Sequence, residues 1–268
     1  MKTLIAPVDF SEASRNAVNF AAEISKRSSA RLLVVHILSK DTNHDEAKAN
    51  LATLQSELTK TFGAALACET SMLEGDLVDA IGEITADKKP ELVVMGTKGA
   101  SGLKRILIGS NTVNVIANTT VPVLVIPEVA RFADFQNTGK NRVVLATDLE
   151  DLNDDDALDI LKELALLMPQ PKIRVLNVRP KGTHLDYIQD MQRNALLSRF
   201  TPEIESERVT VFGNNVINGV NLYLGKKDDT GLVAMVARDT GALIQKHYTH
   251  EMASHTHLPF LVIHDRKA

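Results

Sequence analysis

The residues best suited to chemistry lie in one stretch, Gly96-Thr97-Lys98-Gly99-Ala100-Ser101-Gly102-Leu103-Lys104-Arg105-Ile106-Leu107-Ile108-Gly109-Ser110. Glycines permit positive φ and let backbone amides approach an anion with no Cβ in the way. Ser110 opens a helical pattern (Asn111, Val113, Val115, Ile116), so free N–H groups and the positive end of a helix dipole would face the same space. Lys98, Lys104 and Arg105 add cationic charge. Placed after an apolar strand, this combination makes a phosphate cradle, although composition alone fits a glycine-rich surface turn equally well. Asp9 is the second candidate. It ends the apolar run over residues 3–8 and precedes Ser11 and Ser14. A carboxylate there suits ribose hydroxyls but would repel a triphosphate unless a divalent ion lay between, and helix capping is the other role open to it.

Positioning these groups takes an alternation of strands and helices. Short apolar runs at residues 3–8, 32–38, 92–95 and 121–126 read as strands, and a further strand is placed near Cys68 to Leu73 by its position in the repeating pattern. Between them, Ala17, Phe20, Ala21 and Ile24, then Leu51, Leu54, Leu58 and Phe62, then Leu77, Ile81 and Ile84 recur at helical spacing. Strand–helix alternation specifies βαβ units, a mostly parallel sheet and right-handed crossovers. Residues 128–141 lose the periodicity and read as a linker. The pattern then restarts: Val143 to Asp148 matches Leu4 to Asp9 at an offset of 139, Ile173 to Val178 matches Leu32 to Ile37, and Leu258-Pro259-Phe260-Leu261-Val262-Ile263 matches Val121-Pro122-Val123-Leu124-Val125-Ile126 at 137. Offsets that stay within a few residues of one another along the whole chain imply two homologous domains, 1–127 and 142–268.

Gly96-x2-Gly99-x9-Gly109-Ser110, following a Val-Val-Met strand and preceding a helix and a Val-Pro-Val-Leu-Val-Ile strand, resembles the nucleotide-binding signature of the universal stress protein family. Ala6-Pro7-Val8-Asp9-Phe10-Ser11-Glu12 and Val34-Val35-His36-Ile37 resemble its other two markers. The likeness covers the full first half and, in outline, the second. It implies an α/β fold of two tandem doubly wound domains, each a five-stranded mostly parallel sheet flanked by helices, Rossmann-like and of the adenine-nucleotide alpha-hydrolase type. It also implies ATP, or AMP or ADP, with or without Mg, at the carboxyl ends of the strands. Carried over residue by residue, it assigns Asp9 and the Val8 backbone to the ribose and adenine side and the Ile37 backbone to the adenine edge. Met95 would line the pocket, with Gly96, Gly99, Gly109, Ser110 and Asn111 around the phosphates.

The second half departs from the pattern. It keeps Thr147-Asp148 and Asn177-Val178, but Val236 stands in the place of Gly96, and Lys246 and His247 in the places of Gly109 and Ser110. Its loop is about three residues shorter. This half is therefore expected to bind no triphosphate and to pair with the first as an intrachain pseudo-dimer, the terminal strands meeting at the interface; a further homodimer is open. The late histidines (His247, His250, His255, His257, His264) read as solvated or capping rather than metal-binding, Cys68 as a small strand residue, and the acidic run 150–156 as the start of a helix.

Thirty Lys+Arg against 34 Asp+Glu give a net charge of −4, which argues against a nucleic-acid partner. A single cysteine and no apolar run near ~18 residues lead to the expectation of a cytoplasmic protein away from the membrane. There is no G-x4-G-K-[ST], no G-x-S-x-G and no H-E-x-x-H, and no nucleophile–base pair, so no catalytic residue is assigned and hydrolysis would at most be slow. The expected function is a nucleotide-responsive stress regulator; a nucleotide-independent partner-binding scaffold and a slow ATPase are the alternatives.

Overall fold

A computed structural model describes residues 1–38, 43–97, 109–150, 155–237 and 257–264. The chain divides into two compact units, Met1–Phe132 and Ala133–Ala268. The first carries β1 (Thr3–Pro7), α1 (Glu12–Ser28), β2 (Arg31–Leu38), α2 (His44–Phe62), β3 (Cys68–Glu74), α3 (Leu77–Lys88), β4 (Leu92–Thr97), α4 (Ser110–Asn118) and β5 (Val123–Pro127). A short α5 (Phe132–Phe135) and a 3-10 turn (Thr138–Lys140) lead into β6 (Arg142–Ala146), α6 (Asp155–Leu166), β7 (Lys172–Arg179), α7 (Tyr187–Phe200), β8 (Glu205–Phe212), α8 (Val216–Leu224), β9 (Thr230–Ala237) and β10 (Phe260–His264).

Within the first unit five parallel strands run in the order β3-β2-β1-β4-β5. Strand order reverses between β1 and β4, which opens a crevice beyond their carboxyl ends, the place where open α/β sheets take ligands. The second unit repeats the arrangement as β10-β9-β6-β7-β8, also parallel. Leu4, Ile5 and Ala6 of β1 and Val143, Val144 and Leu145 of β6 have no exposure, as continuous apolar runs require when helices cover both sheet faces. The helical stripe of α1 packs Ala17, Phe20, Ala21 and Ile24 into this core.

Residues 128–141 are folded rather than an open tether. The Phe132 ring meets Phe20 edge-on at 5.0 Å, Arg27 lies 5.1 Å over Phe132, and the Asn16 amide donates to the carbonyls of Pro127 and Ala130 at 3.1 and 3.0 Å. Farther along, Gln136 donates to the Leu167 carbonyl at 2.6 Å. A four-residue helix is too short to display a period, which is why its two buried phenylalanines do not mark it in the sequence.

Candidate functional site

The turn after β1 is built by short polar side chains. Ser11 caps α1 by accepting from the Ser14 amide at 3.3 Å. Asp9 sits outside that cap: its Oδ1 accepts from the Ser11 amide at 3.0 Å, closing an Asx-turn. The intervening Phe10 is forced into the left-handed region at φ 61. Partial burial pushes the Asp9 carboxyl up, but the hydroxyls of Ser11 and Ser14 and the Ser11 amide outweigh it, holding the group below its ordinary value. Asp9 is therefore an exposed, firmly ionised acceptor at the crevice, and the capping role belongs to Ser11.

Val8 is pinned behind it. Its N–H donates to the Val35 carbonyl at 2.8 Å, and its carbonyl accepts from His36 Nδ1 at 2.7 Å. Because a carbonyl can only accept, this bond places the His36 proton on Nδ1. The Phe10 ring stacks on His36 with centroids 4.6 Å apart, and the Arg15 guanidinium lies 5.8 Å over Phe10. Of the Val8 backbone assigned from sequence, the amide is thus spent inside the sheet, leaving one carbonyl lone pair for a ligand. Ile37 follows His36 on β2, half-buried, and Met95 is buried on β4.

The two described glycines of the motif differ in kind. A Cβ at Gly96 would stand 2.3 Å from the Ala13 carbonyl oxygen and 2.9 Å from the Ser14 nitrogen, so this glycine lets the first turn of α1 press on the end of β4. Its place is set by packing, before any phosphate is considered. Gly109 has no positive φ, and among the described residues no atom lies within 4 Å of a Cβ, so none of them requires glycine there. It is the N-cap of α4 and supplies no capping side chain. Ser11, Asn43, Asp76, Asp186 and Asn215 each cap the helix that follows them. The first intrahelical bond of α4 runs from the Val113 amide to the Gly109 carbonyl, so the amides of Ser110, Asn111 and Thr112 face out of the helix end. Ser110 and Asn111 are exposed, while Thr112 is buried and donates to the Gly96 carbonyl at 3.4 Å, tying α4 to the end of β4. Gly99, Lys98, Lys104 and Arg105 lie outside the described residues.

Two groups in this region were not singled out from sequence. Thr97, the last residue of β4, is 2% exposed and its hydroxyl has no partner among the described residues. His36 is the other. A polar residue interrupting an apolar strand was the available signal for both.

The second unit reproduces the β1 end closely. Asp148 Oδ1 accepts from the Glu150 amide at 3.1 Å, Leu149 has φ 63, and the Thr147 amide donates to Leu176 at 3.0 Å. Asn177, in the place of His36, donates through Nδ2 to the Thr147 carbonyl at 3.1 Å. Pairing with β10 puts Val236 opposite Ile263, as Gly96 lies opposite Ile126. Helix α6 begins at Asp155, whose counterpart Asn16 lies one turn into α1. Lys246, His247, His250 and His255 lie outside the described residues, as do residues 151–154 of the acidic run. His257 is exposed and His264 buried on β10. The half-buried Cys68 thiol is pushed up to about 11 by burial and by Glu69, so it stays protonated at neutral pH. Among the described residues no helix is long and apolar enough to cross a membrane.

The model of the universal stress protein family matches residues 1–127. Universal stress protein MJ0531 of Methanocaldococcus jannaschii is 33% identical over 138 residues, covering 47% of this chain and 81% of that protein. Universal stress protein Slr1230 of Synechocystis is 36% identical over 94 residues, 34% of this chain and 32% of that one. Over the whole length, the crystal structure of a universal stress protein from Archaeoglobus fulgidus superposes with a TM-score of 0.76 at 19% identity, covering 98% of both chains, which extends the fold through the second unit.

Proposed function

The chain belongs to the universal stress protein family, and from that premise we propose that its first unit binds one adenine nucleotide, ATP, and that the chain acts as a nucleotide-responsive module in the stress response. The observation that carries this reading is the amino end of α4: a helix terminus with no side-chain cap, whose Gly109 has no packing reason to be glycine among the described residues. Outward amides and a positive dipole end fit phosphate oxygens, and a Cβ-free cap lets them approach. Ser110 and Asn111 add side chains there, and the family motif assigns Gly99 to the same phosphates. Asp9 fits the ribose hydroxyls as an ionised acceptor, and the strand ends at Val8 and Ile37 offer backbone groups to the base beside Met95. Gly96 acts indirectly by holding α1 against β4. An accompanying Mg would screen the phosphates from Asp9.

The same geometry supports a binding module rather than an efficient hydrolase. Asp9 is held below its ordinary value, so it is a weak base for activating water. Calorimetric titration of the full chain with Mg-ATP is expected to give one site. A folded protein that shows no binding heat and no competition by a fluorescent ATP analogue would overturn the proposal.

A further inference from the structure

Helix α7 connects β7 to β8, as α2 connects β2 to β3 in the first unit. There α2 buries Ala47, Leu51, Leu54, Leu58 and Phe62 and leaves no large apolar side chain exposed. In α7 the pattern differs. Leu196 and Phe200 are buried, while Tyr187, Ile188, Met191, Asn194, Ala195 and Ser198 face solvent, Tyr187 at 78%, Ile188 at 67% and Met191 at 53% exposure. At 3.6 residues per turn these six positions form the face opposite the buried one, and none of them carries a charge. A solvated helix face is ordinarily charged, so an apolar one marks a contact surface.

The order of side chains along that face fits one occupant. Ile188, Met191, Ala195 and Ser198 recur at the three- and four-residue intervals of helices that pack side by side. The bulky pair comes first and the small pair second. An antiparallel copy of the same helix therefore sets Met191 against Ala195 and Ile188 against Ser198, and both pairs share one midpoint at residue 193. Ser198 already donates its hydroxyl to the Ala195 carbonyl at 2.8 Å, so covering it strands no polar group. Charge selects the same direction. Asp186 and Asp190 lie toward the amino end of α7, Arg193 and Arg199 toward the carboxyl end, so an antiparallel copy brings acidic beside basic where a parallel one would bring like beside like. The neighbouring edge strand β8 is guarded by exposed Glu205, Glu207 and Arg208 and does not invite a further strand. We propose that the exposed face of α7 is a homodimer interface, on which a second copy of this chain lays its own α7 antiparallel across a two-fold axis near residue 193.

The proposal rests on nothing in the nucleotide reading. A single helix pair falls below the roughly 1,200 Å² of a standard interface, so the dimer is a weak one. Sedimentation equilibrium of the full chain from about 1 to 500 µM is expected to show a reversible monomer–dimer equilibrium. Met191→Lys and Ala195→Glu, both at exposed positions, should each weaken association about ten-fold or more by placing an unpaired charge in the seam, with the melting temperature in dilute solution unchanged. Mixed one to one, the two variants should recover the dimer, because the introduced ammonium and carboxylate meet in one layer while the other layer keeps its native pair. Leu222→Lys, at an equally exposed position on α8, should leave association as it was. A single-chain mass across the whole range, association indifferent to both α7 substitutions, as pairing through β8 would give, or a mixture that stays monomeric would each overturn it.

Discussion

Asp9 shows how a single carboxylate acquires a defined state from its neighbours. Burial alone would raise its pKa, but two hydroxyls and an amide aimed at it favour the charged form and win. A depressed folded value means that the charge is complete at neutral pH and is lost only in acid, below the usual carboxylate range. Any contribution it makes to stability follows the same course: present above the unfolded pKa, lost as pH falls through the folded one. For binding, the consequence is a flat response. Replacing Asp9 with Asn should cost Mg-ATP about ten-fold in affinity, the scale of one charge-assisted hydrogen bond. The ratio of wild-type to Asp9→Asn affinity should hold constant from about pH 5 to pH 8, and using the ratio cancels the titration of ATP itself. A ratio that collapses toward one between pH 7 and pH 5 would show a carboxyl raised above the ordinary carboxylate range and would contradict the assignment.

At the scale of elements, the strands and helices of the first unit were legible because parallel strands buried on both faces read as apolar runs and α1 carries a clean buried stripe. In the second unit α7 and β8 were not legible. Tyr187, Ile188 and Met191 stand exposed on α7, so its apolar residues do not segregate, and β8 is a charged edge strand carrying Glu205, Glu207 and Arg208. The glycine motif was readable as a spacing, but its division of labour was not, since only the packing of α1 on β4 separates a structural Gly96 from Gly109. That division makes opposite predictions for two substitutions. Gly96→Ala drives a methyl into the α1 backbone and should cost about 1–3 kcal/mol in denaturant unfolding. Gly109→Asp supplies the missing cap and a charge that suits the helix dipole, so stability should hold or rise by about 0.3–1 kcal/mol. Its carboxylate occupies the phosphate position, and Mg-ATP binding should vanish. Equal destabilisation by both variants would refute the distinction.

Across the whole molecule, the two units share what the fold needs and differ in the rest. Both units keep a polar clip from the second strand to the first, His36 to Val8 and Asn177 to Thr147, and a left-handed residue after the aspartate, Phe10 and Leu149. Since these features recur where the glycine motif does not, they belong to the βα turn itself rather than to the ligand. Asp148 shares the Asx-turn of Asp9, while Val236 occupies the place that in the first unit only glycine can fill. The two aspartates, alike in local geometry, should differ completely in function. Calorimetry with Mg-ATP should show one equivalent per chain, unchanged by Asp148→Asn and weakened by Asp9→Asn. Two equivalents, or heat halved by Asp148→Asn, would mean that the second unit still holds a nucleotide and that loss of the glycine spacing does not abolish binding in this fold.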